Sequence, residues 1–162
     1  MTPPPLPLRT VPHVDLPRYM GDWHIIANIP YVLERGKVGT RERYTLKPKG
    51  FVAVSFFFYE ENFDSPEGEW DAVFSVDDTG SNAEWTAVYV RNLRVPYRII
   101  ELDADYQWSV IGHKSRDLGW ILSRTPELAP HTYEDILQRL VGHGYDPARF
   151  VKVPQRTVVV PV

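Results

Sequence analysis

Trp120-Ile121-Leu122-Ser123-Arg124-Thr125-Pro126 near the end of the chain decides how the rest is read, together with Gly21-Asp22-Trp23 near the start and Asp105-Tyr106 between them. Short β-branched and aromatic segments run from the first motif to the last, separated by turn residues. That is the pattern of an antiparallel up-and-down barrel. The spacing predicts eight strands, over residues 21–30, 40–47, 51–60, 68–76, 85–90, 97–103, 106–113 and 118–124. Pro48-Lys49-Gly50 is a hairpin signal, and Pro96 reads as a turn. Ahead of the first strand, Asp15-Leu16-Pro17-Arg18-Tyr19 reads as one helical turn closing the barrel base.

Successive strands of such a barrel alternate in direction. The start of the first strand, the turn before the seventh and the end of the eighth therefore lie at one end. Gly21, Trp23, Asp105, Tyr106 and Arg124 converge there as a structural base. Arg124 is expected to lie across the Trp23 indole, a contact worth roughly 0.5–2 kcal/mol, and to donate to the backbone of the N-terminal turn.

Beyond Pro126 the apolar period changes from two to 3.6. Tyr133, Ile136, Leu137, Leu140 and Val141 form one stripe, Thr132 with Asp135 reads as a capping box, and Gly144 stands where a C-terminal cap belongs. The third strand is apolar on both faces, so this helix is expected to cover its outer side. Residues 150–153 read as a further short strand. The organisation is then a proline-rich tail over 1–13, a barrel with its helix over 14–154, and an apolar tail over 155–162.

These motifs, their order and the terminal helix resemble the lipocalin family. Asp105-Tyr106-Gln107-Trp108, the run from Trp120 to Pro126 and Glu34-Arg35-Gly36 in the first long loop are most similar to the bacterial outer-membrane and apolipoprotein D-like group. The resemblance implies an all-β, eight-stranded barrel with one outer helix. It also implies a non-catalytic role in binding and carrying or storing an apolar small molecule, and a place in the periplasm or outer membrane. The base motif residues enter by resemblance as structure only.

Alternation assigns the bore. If Trp23 and Arg124 point inward, so do Ile25 and Ala27 on the first strand and Trp120 and Leu122 on the eighth. Trp70, Ala72, Phe74, Trp85, Ala87, Tyr89, Tyr97 and Ile99 complete a wall in which small alanines face large aromatics. An eight-stranded barrel holds either its own side chains or one small ligand, and the alanines favour an open cavity. The loops at the opposite end carry Arg35, Lys37, Arg91, Arg94, His113, Lys114 and Arg116. Such a rim suits an amphiphile with an anionic head, a fatty acid or lysophospholipid, with the acid at an arginine.

Composition closes off other classes. The 162 residues suffice for one domain with a sizeable core, and a net charge of -3 gives no global attraction to nucleic acid. Without cysteine there is no thiolate metal site and no thiol nucleophile. His13, His24, His113, His131 and His143 are scattered, and no metal-ligand spacing or nucleophile motif joins them. No enzyme activity, metal or cofactor is expected. Two alternatives stay open: a haem-binding barrel with His113 at the mouth as ligand, and a filled barrel acting as a protein-interaction module. In the second, the third strand or the terminal valines would mediate a homodimer rather than a monomer. Peripheral membrane association is compatible with either lipid reading. The first twelve residues carry five prolines and lack the apolar run of a secretory signal.

Overall fold

A computed structural model describes residues 6–88 and 94–156, the side chains of Val88 and Arg94 excepted. Asp15 caps the short helix α1 (Leu16–Tyr19), its carboxylate accepting from the Arg18 amide at 3.4 Å. Gly21, at φ 97°, then turns the chain into β1 (Gly21–Asn28), a backbone conformation that favours glycine.

Seven further strands follow: β2 (Lys37–Leu46), β3 (Val52–Glu60), β4 (Glu67–Val76), β5 (Glu84–Val88), β6 (Arg94–Leu102), β7 (Trp108–Gly112) and β8 (Gly119–Ser123). Each pairs antiparallel with the next, and β1 pairs with both β2 and β8, closing an eight-stranded barrel. Helix α2 (Pro130–Gly142) lies outside, and β9 (Val151–Lys152) returns to add to β1 at Ala27 and Asn28. No helix among the described residues is long and apolar enough to cross a membrane.

The wall separates two apolar clusters. Inside it pack Trp23, Ile25, Tyr44, Phe74, Trp85, Tyr97, Ile99 and Leu122. Between the wall and α2 pack Ile26, Ile29, Ile100, Val110 and Ile121 against Tyr133, Ile136 and Leu140.

Several boundaries and placements differ from the sequence expectation. Pro96 lies within β6, opposite Thr86, rather than in a turn. Strand β7 ends at Gly112 opposite Arg98, so the missing Pro96 N–H falls where the ladder on that side has already stopped. Strand β7 starts at Trp108, because Tyr106 sits at φ 58° in the preceding turn and donates its amide to the Asp103 carbonyl. The capping box does not form. Pro130 occupies the start of α2, Ala129 is the N-cap residue, and no side chain bonds there. Gly144 does cap the other end at φ 86°, with its amide on the Val141 carbonyl.

The helix does not cover β3. It covers β1, β6, β7 and β8, where bulges turn extra apolar residues outward. The outer Phe57 of β3 lies instead under the guanidinium groups of Arg41 at 4.0 Å and Arg43 at 5.2 Å. Tyr59, two residues on, meets Phe63 and Arg156.

Candidate ligand-binding site

At the base, Arg124 lies 3.8 Å from the centroid of the Trp23 ring. Its guanidinium donates to the carbonyls of Met20 at 2.8 Å, Asp22 at 3.1 Å, Arg18 at 2.7 Å and Tyr106 at 3.2 Å. The Trp23 indole donates to the Tyr19 carbonyl at 2.8 Å, and the Tyr106 hydroxyl accepts from the Asp15 amide at 2.9 Å. Asp105 is exposed, and its backbone carbonyl accepts from the Gln107 amide group at 3.1 Å. Trp23 is fully buried and Arg124 lies over it, so this end is closed.

Above it the bore is filled. Trp85 stacks on Tyr97 with centroids 4.9 Å apart and planes 12° from parallel. Tyr19 reaches up from α1 to meet Trp23, Tyr44 and Trp85. Hydroxyls thread this aromatic plug: Ser109 to Tyr19 at 2.9 Å, Tyr19 to Tyr97 at 3.2 Å, Tyr97 to Tyr44 at 2.7 Å. The Tyr44 hydroxyl in turn donates to the Glu42 carboxyl. Burial pushes all three tyrosines above the ordinary phenol range.

Space remains between this plug and the β1–β2 loop. The cavity is about 30 Å³, where one water needs about 10–15 Å³. Tyr31, Phe74, Tyr97 and Trp120 supply aromatic walls, Ala87, Val95, Pro96, Ile111 and Leu122 aliphatic ones, and Glu34 and Glu42 the acidic groups. Among the described residues, neither Lys, Arg nor His lines it. The loop positions Glu34 by a tight turn, its amide on the Tyr31 carbonyl at 3.1 Å. Glu34 Oε2 accepts from the Trp120 indole at 2.9 Å, while Oε1 is buried with no hydrogen bond. Burial raises the Glu34 carboxyl to about 7, with Glu42 adding repulsion and Trp120, Tyr31 and Lys37 pulling the other way. Glu42 is likewise raised to about 7 by burial, against the Tyr44 hydrogen bond.

Residues 14–155 match the family model for the lipocalin-like domain. The chain belongs to the lipocalin family. It is 29% identical over 158 residues to temperature-induced lipocalin-1 of Arabidopsis thaliana, covering 91% of this chain and 83% of that protein. It is 27% identical over 157 residues to the outer membrane lipoprotein Blc of Escherichia coli K12, covering 94% and 85%. Insecticyanin of the tobacco hornworm Manduca sexta shares the fold with a TM-score of 0.73 at 18% identity, over 94% of this chain and 88% of that one. Lipocalins are binding and transport proteins for small hydrophobic molecules.

The lipocalin brings five of the expected lining residues to the cavity: Phe74, Ala87, Tyr97, Trp120 and Leu122. Ile25, Trp85 and Ile99 face inward but are fully buried in the plug, and Ala72 packs against it. Ala27 faces outward. Ile25 pairs with Leu122 and Ala27 with Ile121, so Ile26 is an extra residue that reverses the alternation and sends Ala27 to the helix side. Trp70 stands at the mouth, 45% exposed, against Phe56 and Phe58 with the Lys37 ammonium 4.7 Å above its ring. Tyr89 and Arg91, and the side chain of Arg94, lie outside the described residues.

Some cations of the expected rim have partners elsewhere. Lys37 pairs with Glu60 at 3.3 Å, and Arg116 donates to the His143 carbonyl at the end of α2 at 2.9 Å. Arg35 and Lys114 are exposed. His113, the candidate haem ligand, bonds Ser115 at 2.8 Å and is not among the cavity residues. Among the described residues no cluster of three His, Asp or Glu could hold a metal. Glu34 and Glu42 carried no functional reading in the sequence. Alternation on β2 holds the signal for Glu42: Thr40, Glu42 and Tyr44 share one face and Arg41 and Arg43 the other, so one face had to bring a carboxylate inside.

Proposed function

We propose that this lipocalin binds and carries a hydrophobic or amphiphilic small molecule at the mouth end of the barrel, without catalysis. The observation that carries the reading is the cavity under the β1–β2 loop, with aromatic walls and two carboxyls set above a base that is closed. A fatty acid or lysophospholipid is the ligand class proposed from the sequence. Each buried methylene contributes about 0.8 kcal/mol, so a long chain supplies roughly 10 kcal/mol before ordering costs.

A drug-sized ligand pocket is about 300–1,000 Å³, far above the 30 Å³ here, so binding requires the mouth side chains to move aside. Trp70, already 45% exposed, and its neighbours Phe56 and Phe58 are the side chains placed to do so. A relative named as an outer membrane lipoprotein supports a periplasmic or outer-membrane setting, with peripheral membrane association.

Native mass spectrometry of the purified protein, then titration with a fluorescent fatty acid and displacement by a lysophospholipid, tests this reading. One-site saturable binding with displacement is the expected result. Absence of binding across acyl and retinoid ligands would mean a filled barrel that acts through its outer surface.

A further inference from the structure

Two carboxyls point into one small aromatic chamber that no cationic side chain lines among the described residues. Glu34 enters from the β1–β2 loop and Glu42 from the inner face of β2. Aromatic side chains donate to both: the Trp120 indole to Glu34, with the Tyr31 hydroxyl also acting on that carboxyl, and the Tyr44 hydroxyl to Glu42. The second oxygen of Glu34 is buried without a partner. The Lys37 ammonium acts on Glu34 from outside the lining, paired with Glu60 at 3.3 Å and lying over the Phe58 and Trp70 rings at 5.0 and 4.7 Å.

An orphaned buried carboxyl oxygen costs free energy unless a donor arrives to meet it. Tyr31, Phe74, Tyr97 and Trp120 line the chamber, and an aromatic ring face attracts a cation and repels an anion. An anionic head placed there would be a third carboxylate or a phosphate beside two acids, with no positive partner among the described lining residues. An ammonium supplies what is missing, both the charge and the N–H donors.

We propose that the chamber is a subsite for an ammonium group, seated between Glu34 and Glu42 among aromatic rings, and that the ligand is an amphiphile bearing such a group. This rests on the mouth-end binding reading above and reverses the head-group charge expected from the loop arginines. The ammonium could be that of a free hydrophobic amine or of a zwitterionic lysophospholipid. In either case the apolar part of the ligand lies toward the mouth aromatics Phe56, Phe58 and Trp70.

The test is displacement of a neutral fluorescent probe by dodecylamine, dodecanol and dodecanoic acid, three ligands of one chain length, below their micellar concentrations and at pH about 8. The amine is expected to bind about tenfold or more tighter than the alcohol, and the acid no tighter than the alcohol. E34Q and E42Q, each near in shape to the native side chain, should bring the ratio of amine to alcohol affinity, measured on the same variant, down toward one. Lysophosphatidylethanolamine against lysophosphatidylglycerol separates the two sources: preference for the former assigns the lipid head group, and equal binding with dodecylamine preferred assigns a free amine. Acid and alcohol binding as tightly as amine in the wild type overturns the ammonium subsite while leaving the carriage reading standing. Absence of binding by all three overturns both.

Discussion

At the base of the barrel one cation, Arg124, gives its protons to four backbone carbonyls and covers Trp23. At the other end two carboxyls lie in a similarly aromatic setting, and one oxygen of Glu34 has no bond. Both ends set an ionisable group against rings, but at the base Arg124 has four carbonyl partners whereas one oxygen of Glu34 has no hydrogen bond. A buried charge whose bonding is complete fixes a shape, whereas one left incomplete is a standing affinity for something else. The difference separates the structural motif of this lipocalin from its proposed binding end.

Removing Arg124 should break the base most severely. Arg124→Ala leaves the four carbonyls without their donor and uncovers Trp23, with an expected loss of about 3–5 kcal/mol, or about 10 °C in Tm by calorimetry. If the ends are separable, ligand affinity measured well below that Tm should stay close to wild type.

The mouth carboxyls should show themselves through pH. Their folded-state values of about 7 exceed the ordinary value of 4.5, so between those limits the native chain holds protons that the unfolded chain has lost. Stability therefore falls as pH rises from 4.5 toward 7 and levels off above it, by at most about 3 kcal/mol per group. Thermal unfolding of the wild type from pH about 5 to about 8 should show this decline, and the E34Q/E42Q double variant should lack it and be the more stable at the upper end. A decline that persists in the double variant would place the titration elsewhere.

Gly68 offers a gentler way to disturb the mouth alone. A Cβ there would fall 2.5 Å from the Phe58 ring, so Gly68→Ala must displace Phe58 from Trp70. The expected cost is about 1–2 kcal/mol in denaturant unfolding, with a changed affinity for an acyl probe. Arg116→Ala should have the smallest effect. It removes a donor to the last turn of α2, costs about 0.5–1 kcal/mol, and leaves the affinity for anionic amphiphiles unchanged if Arg116 serves the helix rather than the rim.

Much of the architecture was legible because it is periodic. Alternation located all eight strands, the change to a 3.6 period located α2, and strand order alone brought Trp23, Tyr106 and Arg124 together. What escaped has local physical causes. A single extra residue, Ile26, reverses alternation and turns Ala27 away from the bore, and bulges leave no mark in composition. A second bulge near Ile100 helps make the outer apolar face that α2 covers, which is why the helix is not over β3. In the sequence Glu34 is only part of a loop motif, and the tight turn after Tyr31 that sends it inside has no periodic signal. The alanines suggested an open bore, but Tyr19 from the N-terminal turn and Tyr44 from β2 fill much of it.

Two indole protons report on the two ends directly. Hydrogen exchange of the Trp23 and Trp120 indole N–H groups by nuclear magnetic resonance, with and without a saturating acyl ligand, tests the division between a fixed base and a binding mouth. The Trp23 proton, bonded to the Tyr19 carbonyl at 2.8 Å, should exchange only on global unfolding and keep its chemical shift when ligand binds. The Trp120 proton, bonded to Glu34 at 2.9 Å, should exchange faster and move on binding. Equal protection of both, or a ligand-induced shift at Trp23 with none at Trp120, would contradict it.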